Sequence, residues 1–256
     1  MTAIQEKVSI IMPAYNADSY IREAILSVQK QTWKNWELIV IDDGSSDHTV
    51  QTVTEFSSKD SRIHLLQNSS NLGAAASRNH GILYATGFWI AFLDSDDAWD
   101  SNKLTHQIHY AHQKQAIFTF TGSAFMDPSG EPLDAYLHAP ETVQFRQLLK
   151  QNVISCSSVL IKRDLILPYP MAKSGFMHED FATWLMILRD YKIAAYGLDE
   201  PLLIYRLSPT SSSGNKRKAA QMTFRVYRYI GLPWCIALYY WLWYAGKSLF
   251  KYRKLK

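Results

Sequence analysis

Short apolar runs alternate with amphipathic stretches along the first hundred residues. Continuous apolar runs predict four strands, at residues 8–12, 38–41, 63–67 and 88–93. Apolar side chains at helical spacing predict helices between them, at residues 17–31, 45–58 and 73–85. We expect the first strand to stop at Pro13. This alternation predicts an α/β fold, Rossmann-like, with a doubly wound and mostly parallel sheet covered by helices.

The second half of the chain is less regular. Its apolar runs predict strands at residues 116–125, 157–162 and 193–205. Helical spacing appears at residues 143–151 and 179–190. A polar segment with three consecutive serines, at 208–215, reads as a loop or hinge.

The last forty residues differ in character from the body. Residues 230–246 form a 17-residue uncharged segment rich in Trp and Tyr, with basic stretches at 223–229 and 247–256. This length is at the low end for a membrane span, and Pro233 lies within it. We therefore expect a helical appendage that contacts a membrane surface through 223–256, or else docks on the body or on a second subunit of a homodimer.

Charge divides the chain in the same place. Residues 1–200 carry 16 Lys and Arg against 23 Asp and Glu, whereas residues 201–256 carry 11 Lys and Arg and no acid. An acidic body suits a cation or a metal-chelated substrate, and a basic aromatic tail suits an anionic lipid surface. Nucleic acid is disfavoured as a partner, because the body would repel it and no reading motif is present. The predicted domains are 1–213 and an appendage at 214–256.

Two features bear on the compartment. The two cysteines lie far apart in the sequence and form neither a disulfide framework nor a metal-binding spacing, which favours a reducing environment. Residues 1–7 contain no apolar run of the signal-peptide type. We expect a cytoplasmic protein, associated with the inner face of the cell membrane.

Acidic side chains follow two of the predicted strands. Asp94, Asp96 and Asp97 lie within four residues after the fourth strand, and Asp42 and Asp43 follow the second. Like charges this close oppose ionisation unless a cation is present, and carboxylates shared with a diphosphate are the usual ligands of Mg²⁺ or Mn²⁺. The alternative is an acidic loop in which Asp97 caps a helix, with Asp42 and Asp43 as turn residues. Two such strand ends together favour a nucleotide–metal site.

The chain resembles the family 2 glycosyltransferases, which are inverting enzymes of the GT-A fold. The resemblance covers residues 7–206, and its motifs keep the family's order and separations. The motifs are VSIIMPAYN (8–16), QTW (31–33), ELIVIDDGSSD (37–47), NLG (71–73), ASRNHG (76–81), LDSDD (93–97) and ED (179–180).

This resemblance implies that a sugar passes from a nucleotide diphosphate sugar, most often a UDP-sugar, to an acceptor hydroxyl. Pro13, Ala14 and Tyr15 would line the pocket for base and ribose. Asp43 would accept the N–H of the base, with Asp42 beside it.

The remaining motifs would hold the diphosphate. Asp94 would contact the ribose or the metal, Asp96 would hold the Mn²⁺ or Mg²⁺ ion, and Asp97 would share that role. Gly73 would allow the backbone to approach closely. Arg78 would lie near the nucleotide or its phosphates, the alternative being an ion pair with a neighbouring aspartate.

Inversion requires a general base opposite the leaving diphosphate, and the resemblance assigns it to Asp180, beside Glu179. The alternative is that Asp180 is only a negative charge at a helix N-terminus. The chain departs from the family at Ser208, where a histidine that helps hold metal or diphosphate is frequent. We expect metal ligation to rest on the aspartates, and residues 208–213 to cover the diphosphate.

The sequence thus predicts a metal-dependent glycosyltransferase that extends a glycan, with a lipid-linked acceptor in bacterial surface polysaccharide synthesis. Nucleotidyl transfer and dehydrogenation are disfavoured, because no glycine-rich loop follows the first strand. The alternative from another class is a catalytically silent GT-A-fold scaffold that recruits partners through its tail. The retained carboxylates argue against that alternative, because a cluster of like charges is costly to keep.

Overall fold

The computed structural model describes residues 6–173, 175–207 and 216–251. Within them, ten strands form one sheet: β1 (Val8–Ala14), β2 (Trp36–Asp42), β3 (Ile63–Gln67), β4 (Trp89–Phe92), β5 (Ala98–Trp99), β6 (Phe118–Met126), β7 (Pro132–Leu137), β8 (Thr142–Gln144), β9 (Leu160–Lys162) and β10 (Ala194–Arg206). The α-helices are α1 (Ile21–Gln29), α2 (Thr49–Ser57), α3 (Ala74–Tyr84), α4 (Lys103–Lys114), α5 (Phe145–Leu148), α6 (Arg163–Ile166), α7 (Glu179–Asp190), α8 (Lys216–Tyr229) and α9 (Trp234–Lys251).

The sheet has the order β3-β2-β1-β4-β9-β6-β10-β5, with β7 beside β6 and β8 beside β10. The strands β3, β2, β1 and β4 are parallel, as the strand–helix alternation predicts. Strand β9 enters antiparallel between β4 and β6, and β10 runs parallel to β6. The predicted α/β fold is confirmed, with a parallel first half and a mixed second half.

Helices cover both faces of this sheet. One hydrophobic cluster packs α1 and α4 against one face, and a second packs α3, α7 and the C-terminal helices against the other. Helix α3 lies so close that a Cβ added at Gly81 would stand 2.7 Å from Ile11 and 2.8 Å from Ile41. Close packing of this helix fixes its N-terminus at the edge where β1 and β2 end.

Several predicted boundaries needed correction. Strand β1 does not stop at Pro13 but continues to Ala14, paired with β2. On its other side, β4 pairs with β1 only as far as Ile11. Pro13 therefore has no neighbouring strand on that side, and its missing N–H breaks no hydrogen bond there. The helix predicted at 143–151 contains β8 and only the short α5. The strand predicted at 157–162 begins at Leu160, after a 3₁₀ turn. The extents of β3 and α7 are confirmed to the residue.

The C-terminal helices form a hairpin that packs on the body. Val226, Tyr227 and Ala237 are fully buried in the same cluster as α7, and the Tyr227 ring lies 6.2 Å from that of Phe181. The opposite face of α9 is exposed, with Tyr239 at 55% and Leu242 at 59%. Among the described residues, no helix combines the length and hydropathy that crossing a bilayer requires. One face of α9 therefore docks on the body, as the second of the two alternatives predicted. The outer face of α9, which carries Tyr239 and Leu242, is exposed in the described structure.

Candidate functional site

The predicted site residues converge where the parallel strands end. Ala14, the last residue of β1, pairs in register with Asp42, the last residue of β2, and the amide of Asp43 donates to the Ala14 carbonyl at 2.8 Å. Pro13 and Ala14 are buried in the sheet, whereas the Tyr15 side chain is 51% exposed. A planar ring at this edge is available to a nucleotide base.

Asp43 organises the loop that precedes α3. Its Oδ1 accepts hydrogen bonds from the Asn68 amide group at 2.8 Å and the Leu72 N–H at 3.0 Å, and its Oδ2 accepts the Gly73 N–H at 2.7 Å. Burial raises the pKa of Asp43, but these hydrogen bonds outweigh it and leave the pKa below the ordinary value. Gly73, the N-cap residue that precedes α3, has a φ of +91°, a conformation that favours glycine.

Asp42 is equally buried but less completely satisfied. Its Oδ2 accepts the amides of Gly44 and Ser45, each at 3.2 Å, which closes the turn after β2. Its Oδ1 is buried without a hydrogen-bond partner. Asp42 therefore shapes the turn that carries Asp43, and one of its oxygens remains available.

The acidic turn after β4 has the opposite electrostatic character. The Asp97 amide donates to the Asp94 carbonyl at 3.1 Å, which closes the turn that carries Asp94, Asp96 and Asp97. Burial raises the pKa of Asp96, and the charge of Asp94 raises it further. Burial also raises the pKa of Asp97 well above its ordinary value, with Asp94 and Asp96 acting in the same direction. A cation at this turn would relieve that cost.

Asp97 differs from its neighbours in exposure. It is 2% exposed, whereas the Asp94 side chain is 32% exposed. Its Oδ1 accepts the backbone N–H of Arg206 at 3.1 Å, and its Oδ2 is buried without a partner. The sequence predicted a shared metal ligand at this position; the structure places it beneath the turn, against the end of β10.

Arg206, at the end of β10, holds the turn at 94–97 from its buried side. The sequence did not reveal this role. The Arg206 guanidinium is buried, donates to the Asp96 carbonyl from Nε at 2.9 Å, and forms an ion pair with Glu23. It also donates to the carbonyls of Asp127 and Pro128. The acidic turn is thus held in one conformation by a side chain 110 positions away from Asp96.

Arg78 joins the acidic turn to the start of α7. Its Nη2 donates to Asp94 at 2.6 Å and its Nη1 to Glu179 at 3.2 Å, while its Nε is buried without a partner. The predicted alternative of an ion pair with a neighbouring aspartate is observed. Asp94 lies 16 positions and Glu179 lies 101 positions from Arg78 in the sequence. By binding both side chains, Arg78 sets the distance between the turn after β4 and the start of α7, where Asp180 lies.

Asp180 lies in the first turn of α7, where its Oδ1 accepts the Phe181 N–H at 2.7 Å. Burial raises the pKa of Asp180, and the positive charges of Arg78 and His178 only partly offset this. A carboxylate with a raised pKa is a better proton acceptor than an ordinary one near neutral pH.

Two further residues of the site were missed because neither belongs to an acidic motif. The Ser157 hydroxyl accepts the Asp94 N–H at 3.1 Å. Cys156 is buried, and burial raises the pKa of its thiol, as do the negative charges of Asp94 and Asp180. Both residues occupy the 3₁₀ turn before β9, which only the antiparallel insertion of that strand brings to the site.

Metal ligation can rest only on part of this set. No cluster of three or more His, Cys, Asp or Glu side chains has the arrangement of a complete metal site in the described part of the chain. The donors at the Asp94 turn are hard carboxylate oxygens, which suit Mg²⁺ or Mn²⁺ when a diphosphate and water complete the shell. Ser208 and the predicted cover at 208–213 lie outside the described residues.

Comparisons with known proteins agree with these motifs. The family model for glycosyl transferase family 2 matches residues 9–166. The chain is 38% identical over 245 residues to TuaG of Bacillus subtilis (strain 168), a glycosyltransferase assigned to teichuronic acid biosynthesis, covering 93% of this chain and 96% of TuaG. It is 43% identical over 212 residues to Escherichia coli WfgD, covering 82% and 81% of the two chains. WfgD is a UDP-Glc:alpha-D-GlcNAc-diphosphoundecaprenol beta-1,3-glucosyltransferase.

Solved structures share the fold. Staphylococcus aureus TarS residues 1–349 in complex with UDP-GlcNAc superpose with a TM-score of 0.72 at 20% identity, over 90% of this chain and 69% of that one. The mannosyltransferase PcManGT of Pyrobaculum calidifontis, in complex with GDP-Man and Mn²⁺, gives a TM-score of 0.68 at 15% identity, over 89% and 64%. With the family model matching more than half of its length, the chain belongs to glycosyl transferase family 2.

Proposed function

We propose that this glycosyltransferase transfers a sugar from a UDP-sugar to a hydroxyl of a lipid-linked glycan, with inversion at the anomeric carbon. The observation that carries the proposal is the Arg78 bridge, in which one guanidinium pairs with Asp94 after β4 and with Glu179, the neighbour of Asp180 on α7. The name of WfgD supports both the UDP-sugar donor and the lipid-linked acceptor, and the name of TuaG supports a role in the synthesis of a bacterial surface polymer.

The nucleotide would lie across the ends of β1 and β2. Tyr15 offers an exposed ring to the base, and Asp43 offers its carboxylate, whose Oδ2 accepts the Gly73 amide. A carboxylate has about four acceptor positions, so Asp43 can take the N–H of uracil without losing its own hydrogen bonds. The same carboxylate then holds both the loop and the base, which couples the base to the glycine at the start of α3.

The residues present fit a divalent cation at the Asp94 turn. Asp94 and Asp96 are the two partly exposed carboxylates and would hold the ion, while Asp97 supports the turn through the Arg206 amide. When bound, Mn²⁺ or Mg²⁺ supplies positive charge to the leaving diphosphate. The chain's own contribution is a rigid turn: Ser157 fixes the Asp94 amide, and Arg206 fixes the Asp96 carbonyl.

Asp180 would remove the proton of the acceptor hydroxyl. Its carboxylate is oriented by the Phe181 amide, and Glu179 beside it is engaged with Arg78, which leaves Asp180 to face the acceptor. The matched pair Asp180→Asn and Glu179→Gln separates the two acids. Asp180→Asn should lower sugar transfer by 10²–10⁴-fold, roughly the value of general base catalysis, with UDP-sugar affinity nearly unchanged. Normal turnover of Asp180→Asn would contradict this assignment.

The outer face of α9 would meet the anionic surface of the membrane, at its cytoplasmic face. Exposed Trp234, Tyr239 and Leu242 follow one another along this helix, and residues 201–256 bring 11 basic side chains and no acid. Aromatic rings at the interface combined with basic side chains favour peripheral binding. Sedimentation with phosphatidylglycerol vesicles should fall several-fold for Tyr239→Glu, whereas Leu133→Glu, which adds the same charge on the exposed β7, should leave it nearly unchanged.

The competing function is a catalytically silent scaffold that recruits partners. A measurement of UDP binding distinguishes this scaffold from an active enzyme. A scaffold that has lost catalysis has no need to bind a nucleotide sugar. Retention of the fold by circular dichroism with no affinity for UDP in the presence of Mn²⁺ would favour the scaffold over the enzyme.

A further inference from the structure

An open groove lies between the two C-terminal helices. Gln221, Phe224 and Arg225 line it from α8, and Leu238 and Trp241 line it from α9, around a volume of about 340 Å³. Its walls are fixed. The Trp241 indole N–H donates to the Ala220 carbonyl at 2.8 Å, and the Phe224 and Trp241 rings meet edge to face at 6.2 Å. The surface left to a ligand is mainly apolar, with the polar side chains Gln221 and Arg225 on one wall.

Arg225 connects this groove to the catalytic helix. Its Nη1 donates to the Phe176 carbonyl at 3.1 Å, and its guanidinium lies 4.6 Å from the centre of the Phe176 ring. Phe176 belongs to the short loop that leads directly into Glu179 and Asp180. A molecule held at Arg225 is therefore close to the loop that leads into the first turn of α7, where Asp180 lies.

The charge around Arg225 favours an anion. A guanidinium has five N–H donors, and the contact with Phe176 uses one of them. No acidic side chain pairs with Arg225 in the described portions of the chain, and none exists anywhere in residues 201–256. A phosphate or diphosphate at this position meets no competing carboxylate from α8 or α9.

We propose that this groove, lined by Gln221, Phe224, Arg225, Leu238 and Trp241, binds the first isoprene units of a prenyl diphosphate acceptor, with Arg225 on its diphosphate. The proposal rests on the proposed function, because it assumes a lipid-linked acceptor. An apolar groove with a cation at its edge matches an apolar chain that carries an anionic head. Its junction with the Phe176 loop favours the acceptor over a phospholipid, whose binding would require no link to Asp180.

The groove would also explain how the enzyme takes a substrate from a membrane surface. The exposed face of α9 and the groove lie on the same helix, one turned outward and the other toward α8. A prenyl chain leaving the bilayer can pass from the first to the second without crossing the body. The lipid would thereby fix the sugar at a constant distance from Asp180.

Calorimetric titration of farnesyl diphosphate into the full chain tests the proposal. UDP and Mg²⁺ are kept saturating so that the donor site is closed to the probe. Farnesol probes binding of the isoprenoid tail alone, and inorganic pyrophosphate probes binding of the diphosphate alone. Farnesyl diphosphate should bind at least about tenfold more tightly than either, since both the apolar chain and the diphosphate contribute.

Matched variants locate the binding. Leu238→Glu, within the groove, should weaken farnesyl diphosphate by roughly tenfold or more, while Leu242→Glu, one turn along on the exposed face, should change it by less than about twofold. Arg225→Ala should weaken farnesyl diphosphate without affecting farnesol. Leu238→Trp, which fills the groove without adding charge, keeps the test valid if Leu238→Glu unfolds.

Two outcomes would overturn the groove as an acceptor site. One is equal affinity of wild type, Leu238→Glu and Leu238→Trp for farnesyl diphosphate. The other is that dihexanoyl phosphatidylglycerol displaces farnesyl diphosphate and binds with the same affinity. That result would assign the groove to membrane lipid. Binding as expected without sugar transfer to any prenyl diphosphate-linked sugar would instead overturn the proposed function and leave the groove in place.

Discussion

Two acidic turns lie at the same edge of the sheet and have opposite electrostatic properties. Asp43, after β2, receives hydrogen bonds from Asn68, Leu72, Gly73 and Ser77 that lower its pKa despite burial. Asp96 and Asp97, after β4, lie next to other carboxylates, and burial raises the pKa of each. The protein's own hydrogen bonds satisfy the charge of Asp43, whereas Asp96 and Asp97 lie in an excess of negative charge that the Arg78–Asp94 ion pair does not cancel.

This difference distinguishes two uses of the same residue type. A carboxylate that accepts backbone N–H groups holds a loop in place and remains ionised without help. Carboxylates that raise one another's pKa store a cost that a cation can relieve. Aspartates follow both strands in the sequence, and the family resemblance assigns the metal to those after β4; the contacts supply the physical reason for that assignment.

The largest expected effect is the loss of activity when a carboxylate is removed from the second turn. Asp96→Asn should lower the rate of sugar transfer by about 10³-fold, because the charge on the leaving diphosphate loses its counter-ion. Steady-state transfer at saturating Mn²⁺ measures it. A fall of less than tenfold would show that the cation lies elsewhere.

A smaller effect is expected on the stability of the first turn. Asp43→Asn should lower the free energy of unfolding by about 1–3 kcal/mol at neutral pH, since three donors lose a charged acceptor. The pKa of Asp43 is lower in the folded state than in the unfolded state, so its contribution is present above the unfolded pKa of about 3.9 and is lost as pH falls through the folded pKa. Urea unfolding at several pH values should show wild type and variant converging in acid. A constant difference down to acid pH would contradict the role of the charge.

The smallest effect is expected at Asp97. Asp97→Asn keeps the oxygen that accepts the Arg206 amide and removes a like charge from the turn. In EDTA its free energy of unfolding should equal or exceed that of wild type, by up to about 1 kcal/mol. Thermal unfolding at neutral pH checks this. Destabilisation by more than about 1 kcal/mol would indicate that the ionised form is satisfied within the fold.

The sequence predicted what depends on local pattern. β3 and α7 were placed to the residue, because a continuous apolar run and a helical repeat each depend on neighbouring positions. The convergence of Asp42, Asp43 and Asp94 followed from the rule that parallel strands end at one edge. The end of β1 was misplaced because a strand tolerates proline only on a side that has no neighbouring strand. Which side of β1 that is depends on the sheet and cannot be read from the segment itself.

What the sequence missed depends on contacts between distant positions. Arg206 reaches Glu23 across 183 positions, and Ser157 reaches Asp94 across 63. No periodicity or spacing reports such a pair. For α8 and α9 the sequence left open whether they contact a membrane surface or dock on the body, and the full burial of Tyr227 and Ala237 shows docking for one face. Removal of these helices would therefore expose the core, and point variants on their outer surface are the better probes.

The central claim is that the turn after β4, and not the turn after β2, holds the cation with the nucleotide. Calorimetric titration of UDP with and without Mn²⁺, in wild type, Asp96→Ala and the surface control Asp134→Ala, tests it most directly. Wild type and Asp134→Ala should bind UDP more tightly when Mn²⁺ is present, and Asp96→Ala should lose that gain. Equal enhancement by Mn²⁺ in Asp96→Ala would contradict the claim.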